Sequence, residues 1–388
     1  MIDEGLKQFA ITDRQIEIID ALIEHGTYRK AASALNIAKG TVQNAIDSIK
    51  KKAAKQGYSP QHDMTHVAPD PFIVRGVSTY YNKDGKPSGQ WVKTRIDDSK
   101  LESIMREAID ALKEDIPRLP PIQQDFHTNP NLCNTYVITD YHMGMLAWHE
   151  ECGEDWDLKI AENLIVKWFE QAIAQSPNAE QAVFAQLSDF LHFDGLEPVT
   201  PASKHLLDVD TRFAKLVRTA IRVLRQVIDM LLYKHKHVHI IMADANHDPV
   251  SQIWLREWFA VLYENEPRIT VDTNPSPYNA FEWGNAALFF HHGHKRKVIN
   301  VSEVFVAKYR EMFGRTKYAY AHTGHLHSID VKENNLMVVE QHRTLAPQDA
   351  YAARGGWLSG RDAKVITYSK FYGEVSRITI NSDMLKES

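Results

Sequence analysis

The segment HVHIIMADANHD, residues 237–248, is the most informative stretch of this chain. Its first half is a short apolar run rich in Val and Ile, which predicts a buried β-strand. Its second half places Asn246, His247 and Asp248 directly after that strand. Amide, imidazole and carboxylate groups at a strand end can bind a metal ion or move a proton. The segment therefore predicts a chemical site at the edge of a sheet.

Four other short apolar runs end in the same kinds of side chain. They are NTYVITD (134–140) followed by His142, AVFAQLSD (182–189), AALFFHHGH (286–294) and YAYAHTGHLH (318–327). The segments between the runs are long enough for crossover helices, so the pattern predicts an α/β fold. In such folds, sites form beyond the carboxyl ends of the strands. We therefore expect the polar ends of all five runs to meet.

The residue types in this set suit transition-metal chemistry. Asp140 and His142 can clamp one cation from the same side, and the two oxygens of Asp189 can bridge two cations. Asn246 offers a carbonyl oxygen, and the histidines offer imidazole nitrogens. Such mixed nitrogen and oxygen ligands favour Mn²⁺, Fe or Zn²⁺ over Ca²⁺ or Mg²⁺. Two ions of this kind stabilise displacement at phosphorus and lower the pKa of bound water.

The ordered set D-x-H, D, N-H-D, H-G-H and G-H-x-H, within residues 134–345, resembles the calcineurin-like metallophosphoesterase superfamily. The resemblance implies an αββα sandwich, in which two β-sheets pack together with helices outside. It implies that Asp140, His142 and His327 bind the first metal, that Asp189 bridges, and that Asn246, His292 and His325 bind the second. His291 and His294 compete with His292 for its role. It also implies attack by a hydroxide shared between the ions, with His247 as the acid and Asp248 completing the N-H-D motif.

Two positions depart from the family pattern, and a third refines the resemblance. Ser188 and Ala245 stand where the family usually has Gly, but both are small and every ligand is present. His192, three residues after Asp189, is similar to a histidine of the repair-exonuclease branch, where it lies beside the scissile phosphate. This likeness favours phosphodiester substrates, and therefore nucleic acid, over phosphoproteins.

Residues 1–58 are predicted to form a small helical domain. Thr12 is a candidate N-cap for a helix that ends at Gly26, a second helix covers 28–35, and a third covers 39–55. The three resemble a helix-turn-helix DNA-binding unit. Residues that would contact DNA from the third helix are Lys39, Thr41, Gln43, Asn44, Lys50, Lys51 and Lys52. The alternative is a helical unit used for docking or dimerisation.

Residues 59–125 are predicted to contain a linker, a basic β-hairpin and an amphipathic helix. The hairpin is FIVRGVSTYYNKDGKPSGQWVKTRI (72–96), with its turn at Asn82 to Gly85 and five basic residues that would lie on phosphates. The amphipathic helix is expected over 97–116. Residues 126–388 would form the metallophosphoesterase domain.

Three further expectations concern packing in that domain. The tail segments NNLMVVEQH (334–342) and AKVITYSKFYGEVSRITI (363–380) would supply part of the second sheet. Trp148, Trp156 and Trp168 lie in or near predicted helices and would be core residues. His322 would be a hydrogen-bond partner behind the site or a polar filler.

Composition limits the remaining possibilities. The chain has 45 basic and 50 acidic residues, a net charge of −5, so the whole molecule has no general attraction to nucleic acid. No stretch approaches the run of about 18 apolar residues that a membrane span needs, and two cysteines are too few for a disulfide framework. We therefore expect a cytoplasmic protein. The oligomeric state stays open, although a helix-turn-helix unit favours a homodimer.

The sequence therefore predicts a hydrolase with two divalent metal ions, Mn²⁺ first and Fe or Zn²⁺ as alternatives, that cleaves DNA as a nuclease. A phosphomonoesterase or a phosphodiesterase for small nucleotides is the first alternative. A DNA-binding adaptor with a vestigial site is the second alternative, and the complete ligand set argues against it.

Overall fold

The computed structural model describes residues 2–64, 67, 68, 72–84, 86–96, 127–201 and 203–386. The chain forms two compact units, Met1–Arg106 and Glu107–Ser388. The amphipathic helix expected over 97–116 lies outside the described residues, as do parts of the linker predicted before the hairpin.

The first unit begins with a short 3₁₀ helix and three α-helices. The helices are α1 (Asp13–His25), α2 (Tyr28–Ala34) and α3 (Lys39–Lys55). The Thr12 side chain accepts a hydrogen bond from the backbone of Gln15, which caps α1, and Gly26 ends that helix in a left-handed conformation. Asn36, with φ 52°, makes the turn before α3. The three predicted helices are confirmed, and their boundaries agree except that α2 ends at Ala34, one residue before the predicted end.

The predicted hairpin is also confirmed within the first unit. Strands β1 (Phe72–Tyr81) and β2 (Pro87–Ile96) pair antiparallel. The Asn82 side chain accepts hydrogen bonds from the backbone N–H groups of Asp84 and Lys86, at 3.0 and 2.9 Å. Asn at the start of a turn commonly makes such bonds, which is why the chain reverses there.

The second unit is built from two sheets and flanking helices. Its strands are β3 (Asn129–Ile138), β4 (Ala179–Gln186), β5 (His237–Met242), β6 (Ile269–Val271), β7 (Asn279–Trp283), β8 (Ala286–Phe290), β9 (Tyr318–Thr323), β10 (Asp330–Glu333), β11 (Val338–Gln341), β12 (Asp362–Ser369) and β13 (Gly373–Asn381). Its helices are α4 (His149–Cys152), α5 (Leu158–Gln175), α6 (Phe213–Lys234), α7 (Pro249–Leu262), α8 (Val298–Lys308), α9 (Arg310–Arg315) and α10 (Ala350–Gly355).

The first sheet has the order β13-β12-β3-β4-β5-β6, and the second has the order β10-β11-β9-β8-β7. Strands β3 to β6 are parallel, as are β8, β9 and β11. Parallel neighbours need crossover connections, which here include α5, α6 and α7. The carboxyl ends of the parallel strands within each sheet consequently lie at one edge.

The two sheets pack face to face, with helices on the outer faces. Val183 and Ile366 of the first sheet pack with Leu288 and Phe290 of the second in one buried core. The other face of the second sheet packs against Phe305 of α8. On the outer face of the first sheet, Phe169 of α5 contacts Tyr136 and Phe184. The protein is therefore an α/β sandwich with the predicted layer order.

The C-terminal hairpin and one tryptophan differ from the predictions. Strands β12 and β13 extend the first sheet, where β12 pairs antiparallel with β3, whereas β11 lies in the second sheet as expected. Both faces of β12 are buried, so its apolar pattern does not identify its sheet. Trp156 and Trp168 are core residues, but Trp148 is exposed because it stands in the loop before α4.

Candidate metal centre

The strand ends that carry the predicted ligands adopt unusual backbone conformations. Most of the described non-glycine residues with positive φ follow these strands: Asp140 (51°), His142 (48°), Ser188 (80°), Asp189 (50°), His325 (76°) and His327 (55°). Such conformations cost free energy in residues other than glycine, and they concentrate at functional sites. The turns bring side chains from the ends of β3, β4 and β9 to one place.

Asp140, His142 and His327 form one group of candidate ligands. Their ligand atoms lie within 4.8 Å of one another. His327 Nε2 is 3.3 Å from Asp140 Oδ1, and the same nitrogen is 3.3 Å from His142 Nε2. Two imidazole nitrogens at this separation can both bind one ion, at about 2.1 Å from each.

Asp140, Asp189, His292 and His325 form a second group, which shares Asp140 with the first. His292 Nε2 lies 3.0 Å from Asp189 Oδ2 and 2.8 Å from Asn246 Oδ1. His292 Nδ1 donates a hydrogen bond to the Leu187 carbonyl at 2.8 Å. Because that bond fixes the ring, Nε2 is the atom directed at the other ligands.

The donors in these groups fit divalent cations. Asp140 Oδ1 is buried without a hydrogen-bond partner, and the ion-pair partners of Asp140 and Asp189 are imidazoles. Burial opposes ionisation, but His327 and His292 outweigh it and lower the pKa of Asp140. Burial lowers the pKa of His292, but Asp189 and Asp140 raise it to about 9. The buried negative charge therefore requires positive compensation, which metal ions would supply.

His247 and His192 lie beside the first group. His247 Nδ1 donates to the His192 carbonyl at 3.0 Å, which leaves Nε2 available. The His247 ring centroid lies 4.7 Å from that of His142. Burial, and secondarily the charge of His247, lowers the pKa of His192 to about 3, so this imidazole is neutral at physiological pH. Both histidine rings therefore lie against the first ligand group, where His192 Nδ1 is 3.4 Å from His142 Nδ1.

Asp248 lies behind the site. Its Oδ2 accepts hydrogen bonds from the Leu191 backbone at 2.8 Å and from Gln252 Nε2 at 2.6 Å. Burial, followed by the charge of Asp189, raises its pKa well above the usual range. In the structure Asp248 thus supports the loop that connects Asp189 to His192.

The two departures from the family glycines are accommodated differently. Ser188 adopts φ 80°, and its hydroxyl donates to the Ala243 carbonyl, so this residue occupies a position where glycine would be unstrained. Ala245 is not among the described residues with positive φ, so an alanine there is unstrained.

Several supporting residues were not identified from the sequence. A Cβ at Gly324 would lie 1.9 Å from Thr139 Oγ1 and 2.6 Å from Asp140 Oδ2, so only glycine fits before His325. The Thr344 hydroxyl donates to the Asp140 carbonyl at 2.6 Å. The glycine of the G-H-x-H pattern was a usable signal, whereas Thr344 carried none.

A second cluster of His and Glu side chains lies in the sheets behind these loops. His322 Nδ1 is 2.9 Å from His342 Nε2, and His322 Nε2 is 2.9 Å from the Tyr368 hydroxyl. Glu340, next to His342, pairs with Lys364 at 2.6 Å and with Arg377 at 2.7 Å. This is a buried ion-pair network, and it shows that His322 is a hydrogen-bond partner.

The seven candidate DNA-binding residues all lie on α3 of the first unit. Lys39, Thr41, Gln43, Asn44 and Lys51 are exposed, whereas Lys50 and Lys52 are partly buried. The exposed side chains share the surface left free by the buried Val42, Ile46 and Ile49.

No protein-family model and no curated protein matches this chain. Among solved structures, a predicted phosphoesterase from Streptococcus pneumoniae TIGR4 is 12% identical, covering 65% of this chain and 91% of its own, with a TM-score of 0.30. An archaeal phosphodiesterase is 14% identical over 64% of this chain and 99% of its own, with a TM-score of 0.32. Vps29 from Entamoeba histolytica, solved with Zn²⁺, is 9% identical over 64% and 99%, with a TM-score of 0.27.

None of the helices in the described part of the chain has the length and apolar character that a membrane span requires.

Proposed function

We propose that this protein is a dimetal-dependent phosphodiester hydrolase. One observation carries the proposal: two ligand groups share Asp140, and the buried Oδ1 of that residue has no protein hydrogen-bond partner. Asp140, His142 and His327 would hold one ion, Asn246, His292 and His325 would hold the other, and Asp189 would bridge the two. Two divalent ions, with Mn²⁺ first and Fe or Zn²⁺ as alternatives, would stabilise charge at phosphorus and supply a nucleophile from water.

His247 is the proposed general acid. Its Nδ1–H is held by the His192 carbonyl, which orients the ring and leaves Nε2 to deliver a proton to the leaving oxygen. The backbone N–H of His247 also donates to Asp189 Oδ1 at 2.9 Å, so the ring position is tied to the ligand groups. Neutral His192 would contact a phosphate oxygen.

We propose DNA as the substrate, so that the enzyme is a nuclease. Three features support this choice. They are His192, three residues after Asp189, the exposed polar face of α3 and the basic hairpin. A phosphomonoesterase or a small-nucleotide phosphodiesterase would use the same ligand groups and is the alternative. The complete ligand set argues against an adaptor with a vestigial site.

The test uses protein loaded with Mn²⁺, together with a His247→Ala variant. The substrates are labelled single-stranded and double-stranded DNA, bis(p-nitrophenyl) phosphate and p-nitrophenyl phosphate. We expect cleavage of DNA that falls by at least about a hundredfold in the variant, since general acid catalysis contributes about 10²–10⁴. Hydrolysis of the monoester alone would contradict the phosphodiesterase proposal. Hydrolysis of the small diester with DNA intact would contradict the nuclease.

The role of α3 has its own test. A Gln43→Ala, Asn44→Ala double variant should lower turnover of DNA relative to turnover of bis(p-nitrophenyl) phosphate by about tenfold or more, because each good base contact contributes about 1–3 kcal/mol. Lys30→Ala, an exposed lysine on α2, is the matched control. An unchanged ratio in the double variant would assign α3 a role other than DNA binding.

A further inference from the structure

Exposed aromatic side chains from separate segments of the second unit contact one another. The ring centroids of His205 and Tyr351 are 6.1 Å apart with an angle of 27° between the rings. Those of Tyr351 and Trp357 are 5.3 Å apart with an angle of 60°. These three residues are called the aromatic platform below.

Hydrogen bonds connect the chain segments of the platform to the loops of the metal centre. Thr344, which bonds the Asp140 carbonyl, begins the segment that leads to Tyr351. His205 is three residues from Asp208, whose carbonyl accepts from the Leu146 N–H in the loop that follows His142. Asp349 caps α10 two residues before Tyr351, and the two hydrogen bonds connect the chain segments of the platform to the loop that carries Asp140 and His142.

The platform and the residues next to it in sequence expose several large apolar side chains. Tyr351 is 66% exposed and Trp357 is 59% exposed, and the adjoining Leu206 and Leu358 are 80% and 86% exposed. Gly355 allows the Trp357 ring to approach closely on one side, because a Cβ there would lie 3.1 Å from ring atoms. Contiguous exposed rings of this kind mark binding sites.

The charges around the centre indicate which part of a substrate would lie on the rings. Asp349 and the Glu151–Arg354 ion pair, at 2.9 Å, lie on the platform side, where Asp349 disfavours a phosphate. Exposed Lys295, Arg296 and Lys297 follow His294 on the side of the second ligand group. A nucleic-acid backbone therefore fits the basic side, and an uncharged planar group fits the platform.

We infer that the aromatic platform is a stacking subsite for the terminal nucleobase of the substrate, with the adjacent phosphodiester held at the metal centre. The inference rests on the proposed function and specifies its substrate: a nucleic-acid end, in place of a continuous internal strand. Nucleobases stack on exposed aromatic rings whatever their sequence, so the subsite would not select a particular base.

The test measures binding of short fluorescent oligonucleotides by anisotropy in Mn²⁺, in the His247→Ala background so that substrate persists. One oligonucleotide is complete, and two others lack the terminal base at the 5′ or the 3′ end but keep every phosphate. Loss of the base at one end should weaken binding by about tenfold, the scale of one stacking contact. Trp357→Ala and Tyr351→Ala should bind the complete and abasic forms equally.

Two controls keep the result specific. Tyr372→Ala removes another exposed aromatic residue, in the turn between β12 and β13, and should keep the full discrimination. Trp357→Phe keeps an aromatic ring and should retain most of the discrimination between complete and abasic oligonucleotides. Unchanged discrimination in Trp357→Ala and Tyr351→Ala, or none in the parent protein, would overturn the subsite.

Failure of the proposed function would look different. DNA that is never cleaved by the wild-type enzyme would contradict the proposed nuclease, while the binding discrimination would still report on the platform. Cleavage with no base discrimination would remove only the subsite. Equal loss of affinity when an internal base is absent would also contradict the assignment to a strand end.

Discussion

Two clusters of histidines and carboxylates lie in the described part of the second unit, and they have opposite chemistry. In the cluster around Asp140, a buried carboxylate oxygen has no hydrogen-bond partner, and the neighbouring charged groups are imidazoles. In the cluster around Glu340, the carboxylate is paired with Lys364 and Arg377. In both clusters, groups of candidate ligand atoms lie within 4.8 Å of one another.

The comparison shows that the spacing of donor atoms alone does not define a metal site. Lysine and arginine already neutralise Glu340, and His322 is hydrogen-bonded through both ring nitrogens, so an ion would have to displace existing partners. Around Asp140, by contrast, most of the donor residues lie on strained turns, Asp140 Oδ1 has no hydrogen-bond partner, and the ion-pair partners of Asp140 and Asp189 are imidazoles. We therefore propose metal binding for the first cluster and a structural role for the second.

The largest expected effect is loss of metal from the first cluster. Asp189→Asn should weaken binding of Mn²⁺ by more than about a hundredfold, beyond the range typical of supporting residues, because it removes a carboxylate ligand. Titration calorimetry of the metal-free protein checks this expectation. Asp229→Asn is a control at a half-buried carboxylate outside both clusters. Unchanged affinity in Asp189→Asn would contradict the ligand assignment.

Glu340→Ala should instead reduce stability. It leaves Lys364 and Arg377 without their buried partner, and breaking a buried ion pair costs about 3–5 kcal/mol. Urea denaturation measures the change in free energy of unfolding. Asp330→Ala, which breaks the exposed Asp330–Lys332 pair on neighbouring β10, should cost less than about 1 kcal/mol. Equal losses in the two variants would contradict a buried structural network.

The contribution of Glu340 should depend on pH. Burial opposes its ionisation, but His342 and Lys364 lower its pKa to about 2, below the value of 4.5 for an unperturbed Glu. Its stabilising effect is therefore complete above about pH 4.5 and is lost as the pH falls toward 2. The stability difference between wild type and Glu340→Gln should shrink between about pH 6 and pH 3. A constant difference would show that ionisation of Glu340 does not matter.

The smallest effect is expected at Tyr368. Tyr368→Phe removes the hydroxyl that bonds His322 Nε2, which should cost about 1–3 kcal/mol because a buried nitrogen loses its partner. Metal affinity should stay within about twofold of wild type, as the hydroxyl touches no proposed ligand. A large loss of Mn²⁺ binding with little loss of stability would make the second cluster part of the site.

Local signals explain why much of the structure was predictable. Thr12 and Gly26 mark the ends of α1, and Asn82 marks the hairpin turn, because capping and turn residues act on their own backbone. The candidate ligands were found because each follows an apolar strand. Parallel strand ends share an edge, so their sequence order was enough to place them together.

Contacts between distant segments explain what was not predictable. Lys364 and Arg377 lie on β12 and β13, and nothing in their neighbourhood signals a partner on β11. Alternation of apolar residues also does not say which sheet β12 joins, so the C-terminal hairpin was assigned to the wrong sheet. The exposure of Trp148 and the convergence of Tyr351 with His205 likewise depend on tertiary placement.

The central claim is that the cluster around Asp140 holds two divalent ions and the cluster around Glu340 holds none. Native mass spectrometry after loading with Mn²⁺ counts the ions in wild type, Asp140→Asn and Glu340→Gln. We predict two ions per chain in the wild type and in Glu340→Gln, and fewer than two in Asp140→Asn. Two ions in Asp140→Asn, or loss of an ion only in Glu340→Gln, would contradict the account.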